Sequence, residues 1–212
     1  MTAKLPQKPP PDLASLAPDW HAWTTETPMW HIGSASGPYA NPFGVMRSYG
    51  PLQTARFDPH PLPAQDHPAE RVLYVAGELV TALAERFQQS REIRCRQPSD
   101  PVAYGWFPRR PLDLIDLTGV GALRMGASQL LATGPKRVTR AWARAIRECW
   151  PTADGVLYRS SMAGRRCAAL RGPAQDGFPD SAAFAKLMSD PAPAWIQALR
   201  GAAVRAGYTF AG

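Results

Sequence analysis

The chain has 212 residues, of which 45% are hydrophobic and 19% are charged. These proportions are typical of a single globular domain, despite the 23 prolines. No apolar run approaches the roughly 20 residues needed to cross a bilayer, and the opening stretch MTAKLPQKPPPDL lacks the hydrophobic region of a signal peptide. We therefore expect a cytoplasmic protein that does not enter a membrane.

The formal net charge of +7 permits nucleic acid, an acidic protein or a phosphate-bearing ligand as a partner. The P-loop, the GxGxxG dinucleotide motif after a strand, HExxH and GxSxG are all absent. Cys95, Cys149 and Cys167 are widely spaced, without a CxxC pair, and the four histidines show no paired-ligand spacing. We therefore expect reduced thiols and no metal site.

The first part of the chain separates into an arm and a domain. Residues 1–20 are proline-rich and polar, which predicts an extended arm with little structure of its own before a domain over 21–212. Residues 21–70 mix many aromatic side chains with Gly, Pro and Asn, which is typical of short strands and ordered loops. RVLYVA at 71–76 is a compact β-prone run and predicts a buried strand.

The segment after this strand, ELVTALAERFQQ, predicts an amphipathic helix. Leu79, Val80, Leu83 and Phe87 recur at helical spacing. Glu85 lies off this apolar stripe, so periodicity alone predicts that Glu85 faces solvent.

Later segments predict one more strand, a hairpin and three helices. PLDLIDLTG is a strand candidate, and GVLYRSS and RCAALRG, separated by MAGR, predict a hairpin. Residues 136–149 predict a helix with one apolar and one basic face, closed by Pro151. Two more helices are predicted at 181–189 and 193–206. The basic face could follow nucleic acid phosphates, but a solvated helix face explains it better, and no helix-turn-helix or RNA-binding signature is present.

Several segments occur in an order that resembles the RES-domain family, which is named for an Arg, a Glu and a Ser and includes toxins of bacterial toxin–antitoxin modules. The resemblance covers roughly Trp30 to Gly172. It rests on MWHIGS, on a loop that ends in ARFDP, and on LYVAGELVTALAE, where Glu85 follows Tyr74 by eleven residues. LDLIDLTG, ATGPKRVTRAWARAI and ADGVLYRSS complete the ordered set.

The resemblance implies an α/β (α+β) fold: a single RES domain whose mixed β-sheet core is similar to that of ADP-ribosyltransferases and is flanked by helices. It implies that NAD is the substrate and that the nicotinamide–ribose bond is cleaved by hydrolysis, phosphorolysis or ADP-ribosyl transfer. The implied partner is an Xre-type antitoxin that blocks the active site. Homo-oligomers within that complex are a further expectation, and direct binding of nucleic acid is not expected.

Residue roles follow from the matched motifs. Glu85 is the expected catalytic carboxylate, because loss of nicotinamide leaves positive charge on the ribose that a carboxylate stabilises. Tyr74, with Tyr49 behind it, is the expected aromatic wall for nicotinamide. Arg56 is the expected pyrophosphate ligand, and its alternative is a simple ion pair with Asp58.

The sequence departs from the family pattern at two positions. His31 stands where the first Arg is expected; it can still donate hydrogen bonds to ribose or phosphate, and Arg47 is a candidate compensating cation. The family serine falls on Thr133 in one alignment and on Ser160 in another, and either hydroxyl could contact NAD. Two other functions therefore stay open: a RES-like domain that binds a partner or nucleotide without catalysis, and a basic nucleic-acid-binding domain.

Overall fold

A computed structural model describes residues 5–212, which form a mixed α/β fold around one large sheet. In chain order, the strands are β1 (Trp20–Trp23), β2 (Met29–Ser34), β3 (Tyr49–Gly50), β4 (Gln65–Asp66), β5 (Val72–Ala76), β6 (Glu92–Arg94), β7 (Pro101–Trp106), β8 (Leu112–Asp116), β9 (Gly155–Arg159), β10 (Arg166–Arg171), β11 (Phe184–Leu187) and β12 (Thr209–Ala211). The α-helices are α1 (Leu79–Arg86), α2 (Gly121–Arg124), α3 (Lys136–Cys149) and α4 (Pro193–Ala206).

Eight strands form the central sheet, in the order β1-β8-β9-β10-β5-β2-β7-β11. Strands β8 and β9 run parallel, whereas the other neighbours in this sheet run antiparallel. Two small sheets pair β3 with β4 and β12 with β6. The predicted mixed sheet flanked by helices is confirmed.

Both faces of the sheet are buried, and β5 shows how its sequence achieves this. Val72 and Ala76 belong to one apolar cluster, while Leu73 and Val75 belong to another, because successive side chains of a strand point to opposite faces. The first cluster receives one fully buried side chain from each of three helices: Leu83, Trp142 and Leu199. Helices therefore cover one face of the sheet. Because both faces are buried, the sequence of β5 is a nearly continuous apolar run.

Several predicted elements are confirmed. The strand at 71–76 is β5, the helix at 136–149 is α3, the hairpin is β9 and β10, and the last helix at 193–206 is α4. The helix predicted at 181–189 is wrong. Those residues contain β11, which pairs with β7 at the edge of the sheet. In the described part of the chain, no helix is both long and apolar enough to span a membrane.

The hairpin of β9 and β10 is aligned by close backbone packing at its open end. Gly155 pairs with Leu170, and a Cβ atom at Gly155 would overlap the carbonyl oxygen of Ala169. At the closed end, Arg159 pairs with Arg166. The connecting loop therefore begins at residue 160.

The described part of the predicted arm, residues 5–19, lies against α3. The indole Nε1 of Trp142 donates a hydrogen bond to the Pro6 carbonyl at 3.1 Å, and Leu13 is buried in the core. Residues 1–4 of the predicted arm lie outside the described residues. The arm contains one short 3-10 helix, Leu13–Ser15, and is otherwise held by contacts with the domain.

Candidate active site

Glu85 lies in the last turn of α1, and it is half-buried, which corrects the expectation from periodicity that it faces solvent. Its Oε1 accepts a hydrogen bond from the Ser160 hydroxyl at 2.5 Å. Seventy-five residues separate the two in sequence. The sheet brings them together because β10, which carries the hairpin, pairs with β5, which leads into α1.

Neighbouring groups take up the full hydrogen-bonding capacity of the Ser160 hydroxyl. Its oxygen accepts hydrogen bonds from the backbone N–H groups of Met162 at 3.1 Å and Ala163 at 3.0 Å. The hydroxyl proton is therefore directed to Glu85, which must act as the acceptor. Thr133, the other candidate for the family serine, is exposed at the end of a short 3-10 helix. The structure thus brings Ser160 to Glu85 and leaves Thr133 at the surface.

Arg56 approaches the same carboxylate from the ARFDP loop. Its guanidinium donates to the carbonyl oxygen of Gly134, and its own carbonyl accepts from the Thr139 hydroxyl at 2.6 Å. Burial lowers the pKa of Arg56, and the charge of Glu85 opposes that effect. Arg56 is therefore within electrostatic range of Glu85 and does not form the ion pair with Asp58 that was its alternative role.

Tyr158 lies near both Glu85 and Tyr74, and Tyr74 lies near Asp58 and Arg47. Tyr74 on β5 is half-buried, and its hydroxyl is enclosed without a hydrogen-bond partner among residues 5–212. Burial, followed by the charge of Asp58, raises the Tyr74 pKa well above its usual value. Tyr158 on β9 is buried against the Phe57 ring at a centroid distance of 4.6 Å.

Tyr158 was missed by the sequence analysis. Burial raises its pKa, and nearby Cys167 and Glu85 act in the same direction. A signal was present, because Tyr158 lies two residues before Ser160, on the strand that leads directly into the loop that carries Ser160. Because Ser160 was a predicted site residue, Tyr158 could have been predicted as its neighbour.

His31 on β2 is neutral, and both of its ring nitrogens are occupied. Nδ1 lies 2.9 Å from the Tyr74 carbonyl, which can only accept, so Nδ1 carries the proton. Nε2 then accepts from the Asn41 amide nitrogen at 2.9 Å. Burial lowers the His31 pKa to about 4, and the charge of Arg86 contributes to the same shift. His31 therefore lacks the positive charge of the arginine that it replaces.

Arg47 and Tyr49, the remaining predicted site residues, belong to a neighbouring network. Arg47 Nη2 donates to the fully buried Asp58 at 2.8 Å, and Arg47 Nη1 donates to the Tyr49 carbonyl. The Tyr49 side chain is 49% exposed on β3. Within residues 5–212, no hydrogen bond or ion pair joins either residue to Glu85.

Arg86 is a second residue that sequence reasoning missed. It follows Glu85 directly, and its guanidinium lies 6.0 Å from the centre of the Phe87 ring. Among the described residues it forms no side-chain hydrogen bond and no ion pair. The side chain as a whole is exposed, yet burial of its guanidinium lowers the Arg86 pKa. Nothing in the local pattern separates it from an ordinary solvated arginine.

Other potential sites lie elsewhere. Surface pockets of about 440 and 340 Å³ share Gly44, Val45 and Gln175, and neither is lined by Glu85. No group of three or more His, Cys, Asp or Glu side chains in residues 5–212 is arranged to hold a metal ion. The convergent polar and titratable groups therefore lie outside both pockets, in the cluster around Glu85.

The basic face of α3 is largely used within the molecule. Arg140 donates to the carbonyls of Leu52 at 3.2 Å and Gln53 at 2.9 Å, which holds the loop that leads to ARFDP. Arg147 is paired with Glu70, and Arg137 donates to Gln7 of the arm at 2.6 Å. These side chains tie loops and the arm to α3, so they do not form a free row of cations along the helix.

Residues 13–193 match the RES domain as a protein family. The chain belongs to the RES-domain family. This RES domain also shares its fold with the toxin MbcT in the crystal structure of the M. tuberculosis MbcT–MbcA toxin–antitoxin complex. The TM-score is 0.54 at 13% sequence identity, and the match covers 91% of this chain and 98% of that chain. No curated protein is significantly similar to the RES-domain chain in sequence.

Proposed function

We propose that this RES-domain protein consumes NAD by cleaving the bond between nicotinamide and ribose. The observation that carries this proposal is the Glu85–Ser160 pair with Arg56 and Tyr158 within electrostatic range of Glu85. A carboxylate fixed as a hydrogen-bond acceptor is suited to stabilise the positive charge that develops on ribose as nicotinamide leaves.

The neighbouring groups have complementary roles in this proposal. Ser160 fixes the rotamer of Glu85, since its own lone pairs are held by two backbone N–H groups. Tyr74, which is half-buried, offers aromatic surface for the nicotinamide ring, while Tyr158 is buried against Phe57 and supports the site from within the core. Arg56 retains N–H donors beyond the one that bonds to Gly134, and a guanidinium suits a phosphate oxygen. The residues present therefore fit a dinucleotide substrate.

We further propose that the protein is the toxin of a bacterial toxin–antitoxin module and acts in the cytoplasm. Membership of the RES-domain family and the fold shared with MbcT, which is part of a toxin–antitoxin complex, support this role. The partner would be an antitoxin of the Xre type that covers the NAD site. Expression of the RES protein alone should inhibit bacterial growth, and co-expression of a cognate Xre-type antitoxin should restore it.

The decisive experiment is incubation of the purified, partner-free protein with NAD, with nicotinamide release followed by chromatography. We expect release by the wild type and a loss of about 100-fold or more in Glu85→Gln, which removes the charge but keeps the shape. Glu148→Gln is the matched control, because Glu148 is also a helical glutamate and its side chain is 65% exposed. It should leave the rate unchanged.

One observation favours a second candidate function. His31 is neutral and its ring nitrogens are both engaged, so the family arginine has no direct charged replacement at that position. This would suit a RES domain that binds a nucleotide or partner without turnover. Saturable NAD binding without nicotinamide release would support this alternative and exclude catalysis.

A further inference from the structure

The candidate site lacks a cation at the position where His31 stands. The His31 ring is enclosed between the Tyr74 carbonyl and the Asn41 amide, and it has no donor left for a ligand. A dinucleotide carries two negative charges on its diphosphate, and a neutral, fully bonded imidazole cannot balance them. If NAD is the substrate, as proposed above, another side chain must compensate.

Two of the arginines near the site already have partners. Arg47 is paired with buried Asp58 and also bonds to the Tyr49 carbonyl, so its charge is balanced within the protein. Arg56 keeps donors for a phosphate oxygen, but it also bonds to Gly134, and Glu85 balances part of its charge, so it cannot offset both diphosphate charges. Neither one has a guanidinium that is free on all sides.

Arg86 has the properties that these two lack. It is adjacent to Glu85 in the last turn of α1, and α1 packs against β2, the strand that carries His31. That packing brings Arg86 close enough for its charge to contribute to the lowered pKa of His31. Within residues 5–212 no carboxylate or carbonyl accepts from its side chain.

We propose that Arg86 binds the diphosphate of the substrate and supplies the positive charge that His31 does not. A guanidinium presents a planar fork of N–H donors that matches two phosphate oxygens. A partly desolvated cation interacts with an anion more strongly than one in bulk water, because the effective dielectric constant around it is lower. The final turn of a helix is also a favourable place for a cation, since the helix dipole is negative there.

The test is the affinity for ADP, measured by titration calorimetry on the full-length protein. ADP contains the diphosphate but not the bond that would be cleaved, so binding is separated from turnover. We expect Arg86→Gln to weaken ADP binding by about 10- to 100-fold and Arg86→Lys to weaken it less, since lysine keeps the charge but not the fork. Arg205→Gln, an exposed arginine on α4, is the matched control and should bind ADP as the wild type does.

Adenosine serves as a second probe because it has no phosphate. Arg86→Gln should bind adenosine as well as the wild type does, which would show that the variant is folded and that only the diphosphate contact is lost. Equal ADP affinity in the wild type and Arg86→Gln would overturn the inference, as would a wild type that binds ADP no more tightly than adenosine. ADP binding that depends on Arg86 without any cleavage of NAD would support the inference while rejecting the proposed activity.

Discussion

Two carboxylates near the ARFDP loop have opposite surroundings. Asp58 is fully buried and accepts hydrogen bonds from Arg47 at 2.8 Å, from the Leu52 N–H at 2.8 Å, and from both the N–H and the ring of His60. Glu85 is half-buried, accepts one hydrogen bond from Ser160 and has two arginines in its neighbourhood.

The difference separates a structural role from a functional one. Around Asp58 every oxygen has a partner, so a ligand has nothing to bind, and the network holds the loop in place. The fold also positions the groups around Glu85, but they keep hydrogen-bonding capacity for a ligand. One Glu85 carboxylate oxygen has no described partner, and the Arg86 guanidinium has no described hydrogen-bond acceptor. A buried charge with satisfied partners contributes to stability, whereas a positioned charge with spare capacity can act on a substrate.

The strongest test of this comparison is the stability of Asp58→Ala. Removing the carboxylate leaves Arg47 and His60 without their partner inside the protein, so we expect the free energy of unfolding to fall by about 3–5 kcal/mol. Glu85→Gln keeps an acceptor for Ser160 and should cost at most about 1 kcal/mol. Urea unfolding of both variants at pH 7 measures the contrast. A larger loss for Glu85→Gln would show that the two roles are reversed.

His31 makes a second test, through pH. Its pKa is lowered from 6.5 to about 4 in the folded protein, mainly by burial. Between these two values the unfolded chain binds a proton that the folded chain does not, so stability falls as the pH drops from 6.5 to 4. The loss should approach about 3 kcal/mol, and it should be absent above pH 7.

The matched variant for this test is His31→Gln, which cannot titrate but can still hydrogen-bond. Unfolding measured at several pH values between 4 and 7 should give a shallower slope in His31→Gln than in the wild type. His21, whose pKa is also lowered by burial, is present in both proteins and drops out of the difference. Identical slopes would mean that folding does not lower the His31 pKa, which would contradict the assignment of a neutral ring throughout this pH range.

A smaller effect is expected from Ser160→Ala, which tests whether Glu85 depends on its neighbour. Loss of the hydroxyl frees the Glu85 side chain to change rotamer, so we expect kcat for nicotinamide release to fall by about 10-fold with little change in KM. Ser161→Ala alters the exposed neighbour in the same loop and should have no effect. Equal activity in Ser160→Ala and the wild type would limit Ser160 to a role in the turn.

The smallest effect is expected where a charge pair is exposed and belongs to neither network. Arg109 and Asp180 lie 2.5 Å apart, but the Asp180 side chain is 93% exposed. Water screens such a pair, so Asp180→Ala should leave the melting temperature within about 1 °C of the wild type. A clear drop in the melting temperature would show that an exposed ion pair stabilises the fold as a buried one does. Burial would then not be the reason for the effect of Asp58→Ala.

Elements with a strong local signal were predictable from the sequence. Helix α3 has the predicted bounds because its apolar and basic faces alternate at helical spacing between Pro135 and Pro151. The run FAKL in 181–189 contains good helix formers, yet it forms β11, because pairing with β7 satisfies its backbone and outweighs intrinsic propensity. The edge of a sheet is a property of the whole fold that a local window does not contain.

The candidate site was also predictable only in part, because some of its contacts depend on the whole fold. The resemblance to the RES family identified Glu85, Tyr74, Arg56 and Ser160, although it left Thr133 as an alternative for the serine. The hydrogen bond from Ser160 to Glu85 distinguishes Ser160 from Thr133. It joins the end of α1 to a hairpin far along the chain, so local hydrophobic periodicity cannot predict it. The roles of these residues in binding NAD stay predictions.

The close fit at Gly155 has a consequence for how the candidate site can be disrupted. Slippage of β9 against β10 by one residue would turn the side chains of β9 to the opposite face and displace the start of the loop, so that Ser160 would leave Glu85. Because the Gly155 backbone lies against Ala169 with no room for a methyl group, this glycine sets the alignment from the far end of the strand. In a saturation-mutagenesis map of this protein, Gly155 should therefore be as intolerant as the site residues, although it touches no ligand.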